Sequence, residues 1–370
     1  MYKRQEYSSH LYSESKFSAL NIREVEPKYD NKTKIVDGRE IINKFFDITF
    51  KNNPLVFAVG EDVGIIGGVN QGFANLQKKY GKLRITDTGI RESSIIGQGI
   101  GTALRGLRPI VEIQYLDYVY WAIQTLSDDL STLHYRTKGG QKAPVIIRTR
   151  GHRLEGIWHS GSPMGTLVNS LRGINVLVPR NFVEAAGMYN TLLLSDEPGI
   201  IIEPLNAYRL KENLPNNLDK ISVEFGVPSI LKEGKDISIV TYGSMCRIVL
   251  DAARELDEIG ISCEVIDVRT LLPFDKNKTI VNSIKKTNRV VFADEDISGG
   301  ASAFMMQNVL ENQNAYFYLD SKPITIHSKN HRPAYSSDGD YFSKPNCENI
   351  FDRIYSLFNE LNPKAYPSLR

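Results

Sequence analysis

The chain is predicted to be an α/β protein of two consecutive domains, each a mainly parallel sheet covered by helices. Two features of the pattern carry that expectation. Short apolar runs alternate with longer stretches whose apolar residues recur at helical spacing, as strand–helix–strand units require. The alternation stops at the polar stretch Lys211-Glu212-Asn213-Leu214-Pro215-Asn216-Asn217 and restarts beyond it. With 370 residues, 41% hydrophobic and 24% charged, the chain has the size and composition for two such units.

Taken in order, residues 1–34 are polar, rich in Ser, Tyr, Lys and Glu, and lack a sustained period; they are expected to be an N-terminal extension or linker. The first domain is expected over 35–212. It opens at Asp37-Gly38-Arg39-Glu40, which has the spacing of a capping box, followed by the helical face Ile41, Ile42, Phe45, Phe46 and Ile48. Strands are then expected at Leu55–Val59, Leu83–Thr86, Ile110–Ile113, Val145–Arg148, Asn175–Val178 and Gly199–Glu203. Between them fall a Gly-rich loop (Gly60–Gly72), a helix opening at Glu92, a long helix from about Tyr118 to Tyr135, and an irregular loop from Thr149 to Pro163. A second capping box, Asn181-Phe182-Val183-Glu184, starts a further helix.

A linker is expected over 213–222 and the second domain over 223–370. Its strands are expected at Ile237–Thr241, Cys263–Asp267, Val290–Ala293 and Ile324–His327. Helices are expected at Met245–Ile259, Lys278–Lys286 and from Gly300 to Leu310, with a closing amphipathic helix marked by Ile350, Phe351, Ile354, Leu357, Phe358 and Leu361.

Charge and cysteine usage narrow the function classes. A net charge of +2 from 45 basic and 43 acidic residues leaves no global field to attract nucleic acid or a membrane surface. Cys246, Cys263 and Cys347 are far apart and make no CxxC pair, so neither a disulfide framework nor a structural zinc site is expected. No apolar run reaches the ~18–20 residues of a membrane span, and the polar N-terminus lacks a signal-peptide core, so a cytoplasmic location is expected.

Several motifs invite chemistry. Glu92 stands at a helix start followed by Ile95, Ile96 and Ile100. It is either a solvated helix-start acid or a desolvated carboxyl able to donate and accept a proton near neutral pH. The Gly60–Gly72 loop is either a structural turn or a backbone approach to a ligand; it is no P-loop, since no Gly-Lys-Ser/Thr follows. Gly97-Gln98-Gly99-Ile100-Gly101-Thr102 misses the dinucleotide-binding spacing and reads as close helix packing. His152, Glu155 and His159 have metal-ligand offsets only on a helix, which Gly151, Gly156 and Gly161 disfavour. Arg148, Arg150 and Arg153 are candidates for an anionic substrate or plain surface charges, and His327 and His331 are possible pocket residues. Gly161-Ser162-Pro163-Met164-Gly165 lacks the GxSxG spacing of a serine hydrolase.

Four motifs then occur in a familiar order: Gly60-Glu61-Asp62-Val63-Gly64 with Gly67-Gly68-Val69, Asp87-Thr88-Gly89-Ile90-Arg91-Glu92, Glu112-Ile113-Gln114-Tyr115-Leu116-Asp117-Tyr118, and His159-Ser160-Gly161-Ser162-Pro163. With Cys263–Pro273 in the second half, they resemble the beta subunit of the thiamine-diphosphate-dependent decarboxylating component of 2-oxo acid dehydrogenase complexes, over about residues 36–360. The resemblance implies a pyrimidine-binding domain followed by a transketolase C-terminal domain. It implies that Glu92 hydrogen-bonds a ring nitrogen of the aminopyrimidine, that Ile90 and Tyr118 flank that ring, and that His159 serves substrate binding and acyl transfer. Implied partners are an alpha subunit in an alpha-two, beta-two assembly, a lipoyl-bearing acyltransferase and a small 2-oxo acid, either pyruvate or a branched-chain one.

Two departures stand out. No Gly-Asp-Gly with a downstream Asn is found, and Asp338-Gly339-Asp340 is not that motif; the resemblance assigns Mg2+ and the diphosphate mainly to the alpha partner, and leaves a structural K+ open. The chain alone is therefore expected to be inactive. Where the family commonly has His-Ser-Gln-Ser, this sequence has His159-Ser160-Gly161-Ser162, beside the unusual segment Arg150–Glu155. The readings carried forward are a catalytic beta subunit, a non-catalytic assembly subunit of the same fold, and the beta half of a fused alpha-beta enzyme.

Overall fold

The computed structural model describes residues 9–151, 159, 161–333 and 336–369. Its strands, in chain order, are β1 (Ile35–Asp37), β2 (Val56–Gly60), β3 (Ile85–Asp87), β4 (Arg108–Glu112), β5 (Ile146–Gly151), β6 (Asn175–Leu177), β7 (Gly199–Pro204), β8 (Lys211–Asn213), β9 (Ser229–Lys232), β10 (Ile237–Thr241), β11 (Cys263–Asp267), β12 (Thr270–Leu272), β13 (Val290–Ile297) and β14 (Ile324–Ser328). One sheet has the order β12-β6-β7-β5-β4-β2-β3 and the other β14-β13-β10-β11-β9, while β1 and β8 form a small antiparallel pair. Within the large sheets, pairing is parallel except at the edges β12 and β9. The two-domain α/β architecture expected from the alternation is present.

The expected elements form where apolar residues can be buried. Helix Gly38–Asn52 buries Ile41, Ile42, Phe45, Phe46 and Phe50, and helix Cys347–Leu361 buries Ile350, Ile354, Leu357 and Phe358. Asp37, however, makes no side-chain cap; its carboxylate pairs with Lys211 at 2.9 Å, and the Gly38 amide donates to the Leu210 carbonyl instead. The second box is half formed: Asn181 accepts from the Glu184 amide, but the Glu184 carboxylate turns to Arg180. The long helix expected from Tyr118 to Tyr135 is broken into a 3-10 segment (Leu116–Ala122), a π turn (Thr125–Leu130) and a short helix (Leu133–Arg136).

Residues 9–34 carry little regular structure yet are packed. Glu197 accepts from the Ser13 and Ala19 amides at 2.8 and 2.6 Å, and Ala19 is fully buried. Glu24 grips Arg269 of the second half with both carboxylate oxygens, at 3.0 and 2.7 Å. The strand β12 was not expected either. It leaves the second half to pair with β6, and one hydrophobic cluster runs from Val59, Val111 and Val176 through Leu271 and Leu272 to Ile266 and Phe292. Cys246, Cys263 and Cys347 are free thiols, and among the described residues no helix is long and apolar enough to cross a membrane.

Candidate active site

In a parallel sheet, ligands meet the loops beyond the carboxyl ends of the strands. Four adjacent strands, β3-β2-β4-β5, bring there Glu61 after β2, Glu92 after β3, Tyr115 and Tyr118 after β4, and His159 after β5. These residues lie 98 positions apart at most in sequence (159 minus 61) and are gathered by strand order alone.

Glu92 is the first residue of helix Glu92–Leu104 and is 8% exposed. Its carboxylate has no hydrogen-bond partner among the described residues. Ser93, next to it, donates to the Trp121 carbonyl and so ties the helix start to the 3-10 segment that carries Tyr118. Burial, then the charges of Asp62, Glu92 and Glu112, push the Glu61 carboxyl above its ordinary range. Burial, then Glu61, Tyr115, Glu92 and Asp117, likewise raise the Tyr118 phenol. Two carboxylates and a phenol thus share one field.

His159 lies against the same segment. Its ring stacks on Tyr115 at 4.3 Å and 17°, and meets Tyr118 edge-on at 5.3 Å and 81°. Its Nδ1 is buried without a hydrogen-bond partner. Ile90, by contrast, is 64% exposed at the mouth of the site, in the company of exposed Ile65, Ile66 and Trp121.

The floor of the site is an ionic network in which the sequence reading of Arg148 and Arg150 needs correction. Both guanidiniums are fully buried and meet neither solvent nor an open pocket. Residues 148 and 150 share one face of β5, and that face lies under the Gly-rich loop. Glu112 is ion-paired with both arginines, one to each carboxylate oxygen; Arg148 Nε also reaches Glu203 at 2.9 Å. Tyr189 and Tyr208 donate to Glu203, and Arg148 stacks over Phe46 and Phe73. The loop's glycines follow from this: a Cβ on Gly72 would fall 2.4 Å from Arg148 Nη2, and one on Gly68, at φ +81°, 3.2 Å from Arg150 Nη2. Arg150 also donates to the Gln114 carbonyl at 2.7 Å, fixing the chain just before Tyr115.

The other expectations divide. Arg153, His152 and Glu155 lie outside the described residues. Elsewhere, among the described residues, no group of three or more His, Cys, Asp or Glu side chains could hold a metal ion. His327 bonds locally to the Ser328 carbonyl, whereas His331 lines a cavity of about 250 Å3 between the two halves, together with Asp117 and Gly161. In helix Glu92–Leu104, Gly99 packs on Val111, but Cβ atoms on Gly97 and Gly101 would meet open space. The motifs contain Glu61 and Tyr115 without marking a role for either; the one signal in the sequence is their position just after predicted strands.

Known proteins resemble the chain along most of its length. Residues 34–211 match the pyrimidine-binding domain of transketolase and residues 226–348 the transketolase C-terminal domain, which makes the chain a two-domain protein of the transketolase type. A solved structure described as a split gene transketolase, an inactive beta4 tetramer, shares the fold at a TM-score of 0.69 and 19% identity, covering 88% of this chain and 99% of its own. The pyruvate dehydrogenase E1 component subunit beta of Acholeplasma laidlawii is 33% identical over 293 residues, 78% of this chain and 88% of the relative. That of Bacillus subtilis is 36% identical over 282 residues, 75% and 84% respectively. The chain belongs to the family of E1 beta subunits of 2-oxo acid dehydrogenases.

Proposed function

We propose that this chain is the beta subunit of a heterotetrameric, cytoplasmic 2-oxo acid dehydrogenase that decarboxylates pyruvate, or a branched-chain 2-oxo acid, and passes the acyl group to the lipoyl group of an acyltransferase. The observation that carries the reading is Glu92: a carboxylate buried at a helix start, without a hydrogen-bond partner among the described residues, in the field of Glu61 and Tyr118. A carboxyl so placed suits a proton held against a ring nitrogen. The relatives' names add pyruvate as the first substrate to test.

Thiamine diphosphate, when bound, supplies the carbon nucleophile and the electron sink for decarboxylation. The residues present fit its pyrimidine end: Glu92 would hold the ring-nitrogen proton, and Ile90 and Tyr118 would flank the ring. His159, its imidazole plane set by Tyr115, would meet the substrate and the incoming lipoyl group. The surface around Glu92 supports an alpha partner that completes the site and carries the diphosphate with Mg2+. Ile65, Ile66, Ile90 and Trp121 stand exposed there, and Gly97 and Gly101 leave room for a close neighbour.

The deciding experiment mixes the chain with a cognate alpha subunit, thiamine diphosphate and Mg2+, and follows carbon dioxide release from pyruvate, 2-oxoisovalerate and 2-oxoglutarate. Release from one of the first two, absent without the alpha subunit, is the expected outcome. An assembled tetramer inert towards all three would make the chain a non-catalytic module.

A further inference from the structure

One contact joins the His159 segment to the far half of the chain. Asp117 sits between Leu116 and Tyr118, 8% exposed. Its Oδ2 accepts from the Gly161 amide at 3.2 Å and from Arg332 Nη1 at 2.8 Å. Its Oδ1 is buried without a hydrogen-bond partner, and a Cβ on Gly161 would lie 1.7 Å from it. The carboxylate therefore occupies the space that any side chain at 161 would need.

We propose that Asp117, held by Arg332, is the positioning residue that seats His159 for acyl transfer, with Gly161 as the complementary half of the device. The inference rests on the acyl-transfer reading of His159 given above. Asp117 cannot turn aside at little cost, because moving it strands a buried carboxylate and breaks its pair with Arg332. The 3-10 segment that carries Asp117 also carries Tyr118 and directly follows Tyr115, the two rings that touch His159. One carboxylate thereby fixes the imidazole relative to the rings it lies against. The backbone at 161 closes onto Asp117, so that position has room for glycine and no side chain.

In the transfer itself the lipoyl disulfide is reduced. One sulfur takes the acyl group, the other takes a proton, and the two electrons come from the decarboxylated substrate. Ferricyanide can accept the same electrons directly, two ions per turnover, with water taking the acyl group. The two assays separate the early chemistry from the step that needs a correctly seated His159.

The test uses the tetramer reconstituted with the alpha subunit, comparing the wild-type chain with Arg332→Gln, Gly161→Gln, Asp117→Ala and the double variant Asp117→Ala/Gly161→Gln. The Arg332 side chain is half exposed and borders the cavity of about 250 Å3, so its shortening opens no void in packed core. Arg332→Gln and Gly161→Gln should lower acyl transfer to a free lipoylated domain by roughly tenfold or more while leaving the ferricyanide rate at saturating 2-oxo acid within about twofold, any loss of substrate binding showing in KM alone. The double variant should recover transfer relative to Gly161→Gln, because removing the carboxylate relieves the clash. Equal loss of both rates, an unchanged ratio in the two single variants, or strictly additive losses in the double variant overturns the proposal. A wild-type tetramer with no ferricyanide rate overturns the functional reading beneath it instead.

Discussion

Glu92 shows what a residue reveals in sequence and what it does not. Its place at a helix start was legible from the polar turn before it and the apolar spacing after it, and the structure keeps it there, buried. The resemblance implied Tyr118 beside it, but Glu61 and Tyr115 were not legible, since they come from other strand ends and only the strand order joins them. Arg148 and Arg150 mark the opposite limit: a strand's alternation tells which residues share a face, but not that the face lies beneath a glycine-rich loop and against Glu112 and Glu203. Replacing Glu92 by Gln keeps the shape and removes the carboxyl that the proposed chemistry requires. In the reconstituted tetramer Glu92→Gln should lower carbon dioxide release by roughly 10²- to 10⁴-fold, with assembly unchanged by light scattering. Turnover near the wild-type rate would remove Glu92 from the chemistry.

At the level of elements, the end of β13 carries three consecutive acids, Asp294, Glu295 and Asp296, all buried. Asp296 accepts from the Gly165 amide at 2.7 Å, which anchors the helix Met164–Ser170 that follows the His159 segment. Asp294 accepts from Tyr242 and from the Ser302 amide. Burial, then the neighbouring Asp296, pushes its carboxyl from the ordinary 3.8 up to about 7. A raised carboxyl pKa means the folded state holds the proton more tightly than the unfolded chain. The resulting stability is fully present below the ordinary carboxyl range and is lost as pH rises through about 7. Asp294→Asn keeps a neutral isostere, so the fall in unfolding midpoint between pH 4 and pH 8 should be shallower than in the wild type by a few degrees, measured by calorimetry. Parallel profiles would mean that Asp294 does not change protonation on folding. The elements most legible in sequence were the central strands and the amphipathic helices. The broken Leu116–Arg136 region was not, because its apolar spacing suits a helix and its 3-10 and π turns answer to packing against the neighbouring helix Glu92–Leu104.

For the whole molecule, the fold class was readable from the alternation of strands and helices, while the way the halves join was not. β12 is three residues long and follows directly on β11, so nothing in its sequence separates it from a turn. The surface of helix Glu92–Leu104 is where the proposed assembly can be tested without touching the fold. Leu is a better helix former than Gly by roughly 0.5–1 kcal/mol, and a side chain at 101 enters open space. Gly101→Leu should therefore leave the isolated chain as stable as before or more so, yet weaken its association with the alpha subunit by at least about tenfold, measured by titration calorimetry. Unchanged association would place the partner on another face.

The loan of β12 to the first sheet has a consequence for how this polypeptide can be divided. Severed within residues 213–222, the first piece would present β6 as a raw border of unsatisfied amides, open to sticking to its own kind. The second would carry Leu271 and Leu272 into water. Two domains can be counted along the chain, but they fold as one inheritance: a gene cut between them should yield pieces that each expose surface meant for the other, more prone to aggregate apart than together.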